Sequence, residues 1–321
     1  MTTRNILVLG AGELGTQVLV SLAQHPNRNI TTSTLISALL RPTTLTSTNP
    51  QKTKELDLLR EHGITLIPGD ITNDPIPTLV SIFSNYDTII SCTGFTAGPG
   101  TQLKVAQAVL AAKVQRYIPW QFGVDYDVIG RGSGQDLFDE QLDVRDLLRS
   151  QETTKWVIIS TGMFTSFLFE ESFGVVDFAN GVVTALGSWG NRVTVTSPED
   201  IGRVTAEVVL GSHSHSEDEE EQDAFGDKPI FIAGDTLSYA QLAELVERVT
   251  GRQFERRLRT VQAAREDLAK DPGNALFKYE IVFGEGRGVA WDVNETWNYQ
   301  QGMKAQTAEE WAREHLDIRA K

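Results

Sequence analysis

The segment ILVLGAGELGTQVLVSLA places Gly10, Gly12 and Gly15 in a G-x-G-x-x-G spacing, between an apolar run of strand length and a helical pattern. In that context Gly10 permits a tight turn, Gly12 lets the backbone approach a pyrophosphate, and Gly15 allows close helix packing. Glu13 and Leu14 complete the loop, and the phosphates of a dinucleotide would lie on the helix N-terminus. The dinucleotide is selected at the end of the second strand, TLISALLRPTT. An acidic residue there would suit the ribose hydroxyls of NAD, whereas Arg41 suits a 2′-phosphate through its bidentate guanidinium. Lys52, at the start of the next helix, adds a second cation, and NADP(H) is the expected cofactor. Asp70 after the third strand, Thr93, Gly94 and Phe95 after the fourth, and Thr161, Gly162 and Met163 after the sixth stand at successive strand ends and complete the cofactor candidates.

A second polar signal lies in DLFDEQLDVRDLLR. At about 100° per residue Leu137, Gln141, Val144 and Leu148 share a narrow arc, so a glutamine stands on an apolar stripe. Nearby, Tyr126 offers a phenol that could protonate or polarise a carbonyl, and Asp125 a carboxyl that could do so if burial raised its pKa. The aromatic and apolar residues expected to face a substrate are Phe122, Phe164, Phe167, Tyr279 and Phe283.

The elements that must position these residues alternate. Strand-like runs at Asn5 to Leu9, Leu35 to Leu40, Ile64 to Ile67, Thr88 to Ser91, Tyr117 to Pro119 and Trp156 to Ser160 are separated by helical patterns near 13–24, 51–61, 101–113 and 136–149. This rhythm predicts an α/β fold, a Rossmann-type doubly wound parallel sheet with its ligand crevice at the strand carboxyl ends. After Ser160 the rhythm changes to short strands and helices with legible caps at Ser197, Ser238 and Thr307, predicting a smaller α+β substrate lobe that completes the sheet. The expected division is a dinucleotide-binding domain over 1–160 and a lobe over 161–321, with an acidic flexible loop at 211–228.

The formal net charge of −14 leaves no basic surface for phosphates along a nucleic acid, so DNA or RNA binding is not expected. Six acidic residues fall between Glu217 and Asp223, the signature of a solvated loop. His213 and His215 beside it lack the spacing of a closed metal site, and no metal is expected. No window holds the roughly 18 consecutive apolar residues of a membrane span, and the start MTTRNILVLGAG runs directly into a strand; a cytoplasmic protein is expected. The single cysteine, Cys92, excludes an internal disulfide.

From end to end the chain resembles the NmrA-like and isoflavone-reductase-like branch of the atypical short-chain dehydrogenases/reductases. The resemblance rests on GAGELG, LLRP, GITLIPGDI, VQRYIPWQFGVDYD, VTSPEDIGRVTAEVVL and LSYAQLAELVERVTG. It implies an NADPH-dependent reductase of an aromatic or polyketide-like secondary metabolite, with a homodimer as one assembly to test. Plant reductases of this type carry a lysine in a Phe-x-x-Lys pattern, which here reads Phe138-Asp139-Glu140-Gln141. Their Pro-Ser-Glu-Phe-Gly segment corresponds to Pro119-Trp120-Gln121-Phe122-Gly123, so Trp120 replaces a serine at the strand end facing the nicotinamide, where it joins the cofactor candidates and would narrow the pocket or stack on a planar substrate. No tyrosine stands four residues before a lysine, so the dyad of ordinary short-chain dehydrogenases is absent. A glutamine amide donates a hydrogen bond but transfers no proton at neutral pH, so Gln141 would act as an orienting or oxyanion-type donor. Two alternatives stay open: an NmrA-like dinucleotide-binding regulator without catalysis, and a non-redox isomerase, cyclase or dehydratase on the same fold.

Overall fold

A computed structural model describes residues 3–29, 33–211 and 224–316. The acidic run 217–223, with His213 and His215, lies outside the described residues. The strands are β1 (Thr3–Leu9), β2 (Ser33–Leu40), β3 (Thr65–Pro68), β4 (Thr88–Ser91), β5 (Arg116–Ile118), β6 (Lys155–Ser160), β7 (Met163–Phe164), β8 (Val176–Asp177), β9 (Val182–Leu186), β10 (Arg192–Thr196), β11 (Lys228–Phe231), β12 (Asp235–Ser238) and β13 (Glu255–Arg259).

Seven strands form one sheet in the order β11-β6-β5-β4-β1-β2-β3. The pairs from β3 through β6 are parallel, with Ile6 opposite Ile36 and Thr88, and Val8 opposite Ala38 and Ile90. β1 is buried on both faces, Ile6 through Leu9 having no exposed surface, which is why its sequence is a continuous apolar run rather than an alternating one. Strand order reverses between β1 and β4, and in an open parallel sheet such a reversal opens a crevice beyond the strand ends. The expected α/β doubly wound architecture is the one observed.

Helices Glu13–Gln24, Pro50–Glu61, Ile76–Phe83, Thr101–Ala111 and Leu137–Arg149 alternate with these strands. One face of the sheet packs Leu7, Leu9, Ile89, Tyr117 and Ile158 against Leu79, Phe83, Val105, Val109, Val144 and Leu148 from three of them. Helix Ile76–Phe83 is absent from the sequence expectation because two prolines crowd its start. Pro77 falls in the first turn, where the missing N–H has no partner to lose.

The contacts divide the chain into two compact units. The first holds Met1–Gln121, Asp143–Ile159 and Ile201–Pro229, and the second Phe122–Leu142, Ser160–Asp200 and Ile230–Lys321. The chain therefore passes between the two units several times along its length. The second unit carries two small sheets, β12-β10-β7 and β13-β9-β8. Its caps form as their sequences require: Ser238 with Gln241 and Thr307 with Glu310 make capping boxes, and the Ser197 hydroxyl accepts from the Asp200 N–H at 3.1 Å. Among the described residues no helix is long and apolar enough to cross a membrane.

Candidate functional site

In the first unit the loop after β1 and the loop after β4 meet where the strand order reverses. Gly10 has φ +94°, and a Cβ on it would lie 2.5 Å from the Thr93 hydroxyl, which itself donates to the Leu9 carbonyl at 2.9 Å. The Thr93 carbonyl accepts from Gln102 Nε2 at 2.8 Å, so this loop is tied to the helix that follows it. A Cβ on Gly15 would lie 2.3 Å from the Gly10 carbonyl oxygen. Gly12, the N-cap of helix Glu13–Gln24, is different: a Cβ there meets nothing within 4 Å. Two glycines are thus required by protein atoms, while the third faces open space at a helix N-terminus, where N–H groups and the dipole suit a phosphate. Leu14 is buried beneath the turn and Glu13 points to solvent.

Arg41 directly follows β2 with about half of its side chain exposed, its Nε 3.9 Å from Asp70 Oδ1. Asp70 closes the turn after β3, its carboxylate accepting from Thr72 N at 2.9 Å, Asn73 N at 3.1 Å and Asn73 Nδ2 at 2.9 Å. Partial burial opposes its ionisation, but these hydrogen bonds and the Arg41 charge outweigh it and hold the carboxyl below its ordinary range. Lys52 forms an ion pair with Glu55 one turn along. It lies with Thr43, Thr44, Ser47 and Asn49 around an open cavity of about 380 Å³.

Past β5 the Trp120 ring covers the β4 loop. A Cβ on Gly94 would be 2.7 Å from Trp120 Cζ2, and the Phe95 and Trp120 rings meet edge to face at 4.5 Å. Beside Trp120, Gln121 Oε1 accepts from Arg145 Nε at 2.8 Å, both side chains being without exposed surface. Sequence reasoning passed over this pair. The available signal was Arg145 itself, four residues after Gln141 and so within about 40° of it on the buried side of the helix.

In the second unit Gln141 is fully buried on helix Leu137–Arg149. Tyr126 is buried with its ring edge-on to Phe138 at 4.9 Å and its hydroxyl against the Cα of Gly123. Phe138 contacts Tyr279 at 6.2 Å, Tyr279 contacts Phe167 at 6.0 Å and stacks on Phe283 at 6.4 Å, and Phe173 joins Phe167 and Phe283. Phe167, Tyr279 and Phe283 are thereby brought together with two rings, Phe138 and Phe173, that sequence reasoning had not placed there. Burial raises the Tyr279 phenol to about 12, so it stays a neutral donor at physiological pH. Asp125 is the N-cap of the short helix Tyr126–Ile129, accepting from Asp127 N at 3.1 Å and Val128 N at 3.3 Å. Phe122 is buried, and Phe164 lies in β7 beside β10. Thr161 and Gly162 both donate backbone N–H groups to the Gly123 carbonyl, at 2.9 and 3.0 Å, and Met163 pairs with Val195. These last three fall in the second unit, whereas the other cofactor candidates fall in the first.

Comparison with known proteins agrees with this organisation. The model of the NmrA-like family matches residues 2–312. An NmrA-like family domain-containing oxidoreductase of Gibberella moniliformis is 46% identical over 301 residues, covering 94% of each chain. The crystal structure of an isoflavone reductase superposes with a TM-score of 0.75 at 20% identity, covering 98% of this chain and 100% of the other. The complex of leucoanthocyanidin reductase with NADPH from Vitis vinifera does so with a TM-score of 0.72 at 18% identity, over 95% and 97%. The two structures share the fold, and the match over nearly the whole sequence places the chain in a family: it belongs to the NmrA-like family.

Proposed function

We propose that the chain is an NADP(H)-dependent reductase of a small aromatic or polyketide-like secondary metabolite. The observation that carries the cofactor half is Gly12, a glycine that no protein atom requires, at the N-terminus of a helix beyond the β1/β4 reversal. A pyrophosphate fits there because the backbone can approach it without a Cβ in the way. Arg41, half exposed at the end of β2, would pair with a 2′-phosphate, and the likeness to a reductase solved with NADPH supports the same choice. Bound NADP(H) would supply the hydride.

The chain's own residues would do the rest. The rings of Tyr126, Phe138, Phe167, Tyr279 and Phe283 would bind a planar substrate and exclude water from it. Gln141 stands where similar plant reductases keep a lysine; its amide would orient a carbonyl and stabilise charge on oxygen without moving a proton. Asp125 already caps a helix, which leaves the phenols of Tyr126 and Tyr279 as the candidate hydrogen-bond and proton donors.

A fluorescence titration tests the cofactor: NADPH should bind more tightly than NADH, and equal affinities would overturn the role given to Arg41. Turnover is tested by NADPH oxidation across phenolic ketones, enones and quinones. The engagement of Asp125 and the lack of an acidic proton on Gln141 favour, as a second reading, a dinucleotide-binding regulator without catalysis. Tight NADPH binding with no oxidation across the panel would select it.

A further inference from the structure

Gln135 precedes helix Leu137–Arg149 and is fully buried. Its Oε1 accepts from the Leu137 backbone N–H at 3.4 Å. A backbone N–H only donates, so the oxygen must face it, and the amide orientation is fixed with Nε2 turned the other way. That nitrogen is buried and has no hydrogen-bond acceptor among the described residues. The Gln135 carbonyl, in contrast, is satisfied by the Phe138 N–H at 3.1 Å and the Ser133 hydroxyl at 3.2 Å. A buried donor left without an acceptor is among the larger single penalties a fold carries, and such a group calls for an explanation.

The surroundings supply one. Gly134 is pressed onto helix Ala275–Glu285, where a Cβ on it would lie 2.5 Å from Ile281 Cγ2, and Asp136 is bound by Lys278 Nζ at 2.7 Å. Both neighbours of Gln135 are thus clamped to the helix that carries Tyr279 and Phe283. Three residues on, Phe138 lies edge-on to Tyr126 and Tyr279. The unused N–H groups therefore belong to a residue three positions before Phe138, in a segment that Gly134 and Asp136 hold against the helix carrying Tyr279 and Phe283.

We propose that Gln135 Nε2 is a recognition donor for an oxygen on the ring-bearing ligand: a carbonyl, an ether or a phenolic oxygen. This rests on the reading of the aromatic cluster as the ligand-binding element. An amide NH₂ donates and cannot accept, so the ligand must present an acceptor, and an analogue without it leaves the donor as unsatisfied as it is in the free protein. Gln135 is a binding residue in this assignment and takes no part in moving a proton.

The test uses the full chain and two probes of one skeleton: flavanone, which carries a ring carbonyl, and flavan, which lacks it. Binding is read from quenching of tryptophan fluorescence in wild type, Gln135→Glu and Gln135→Met. Gln135→Glu retains an acceptor for the Leu137 N–H and removes the NH₂ group, and Gln135→Met removes both functions at similar length. Both variants should weaken flavanone binding by about three- to tenfold while leaving flavan within about twofold and NADPH unchanged. In wild type the Gln135 side-chain amide resonances should shift with flavanone and stay in place with flavan, a readout that holds even if a variant folds poorly. An unchanged flavanone-to-flavan ratio in both variants, or amide resonances indifferent to flavanone, would overturn the assignment. Wild-type protein that binds neither probe would overturn the reading of the aromatic cluster and this assignment with it.

Discussion

The glycine loop of the first unit and the aromatic cluster of the second are built in opposite ways. The loop takes its shape from side chains that are missing: a Cβ at Gly10 would meet Thr93 at 2.5 Å, and one at Gly15 would meet the Gly10 carbonyl at 2.3 Å. The cluster takes its shape from side chains that are present, with rings arriving from positions as far apart as Tyr126 and Phe283. A backbone-built site has to keep its spacing, because Gly10 and Gly15 leave no room for a side chain and Gly12 leaves room for a ligand. A ring-built site can exchange one ring for another of similar volume at modest cost. The first kind suits a ligand that stays the same, and the second a ligand that differs among relatives.

That contrast can be broken from either side. Phe138→Ala should cause the largest loss, about 3–5 kcal/mol by thermal or urea unfolding, because Phe138 is almost fully buried and joins Tyr126 to Tyr279. Phe138→Leu should recover most of it, as a ring-built site allows; a leucine as damaging as the alanine would show that ring geometry rather than volume is required. Gly15→Ala should cost about 2 kcal/mol even though alanine gains about 1 kcal/mol of helix propensity, since the clash is with backbone that cannot move aside. Gly12→Ala should leave stability within about 0.5 kcal/mol, because its Cβ meets no protein atom, yet weaken NADPH binding in a fluorescence titration. If Gly12→Ala unfolds the protein as readily as Gly15→Ala, the distinction between a glycine kept for the fold and one kept for a ligand fails.

The same contrast explains what could be read in the sequence. The phosphate loop was legible because its constraint is local: three glycines in six residues, a strand before and a helix after. Parallel strands β1 to β6 were legible for the same reason, all but the part-exposed edge strand β3 being short apolar runs largely buried in the sheet. Helix Ile76–Phe83 was hidden because proline reads as a breaker unless its place in the first turn is known. Phe138 and Phe173 were hidden because nothing local marks a ring as part of a cluster; each is tied into it by a partner more than 100 residues away, Tyr279 for Phe138 and Phe283 for Phe173. Gln141 was visible as a polar break in an apolar stripe, and Arg145 carried the same signal one turn later. The hydrogen bond that holds it, to Gln121 at 2.8 Å, is a tertiary fact that spacing does not contain.

The corner formed by Arg41 and Asp70 in the first unit combines both constructions, with side chains acting on a backbone-built site. Arg41→Ala should leave stability nearly unchanged, since its partner is 3.9 Å away and about half of its side chain is exposed. It should instead lower NADPH affinity by about tenfold or more while sparing NADH, as loss of a charge-assisted contact to a 2′-phosphate requires. Asp70→Asn should have the smallest effect, a loss of at most about 1 kcal/mol at neutral pH. Its sign follows from the carboxyl being held below its ordinary range in the folded chain. The ionised form is the one that Asn73, Thr72 and Arg41 stabilise. The contribution is therefore complete above the unfolded value of about 4 and disappears as the pH falls through the lower folded value. Unfolding curves of wild type and Asp70→Asn should accordingly converge in acid and separate toward neutrality. A gap that widened in acid would mean that the protonated carboxyl is the favoured form, and that Arg41 is held by something other than the charge of Asp70.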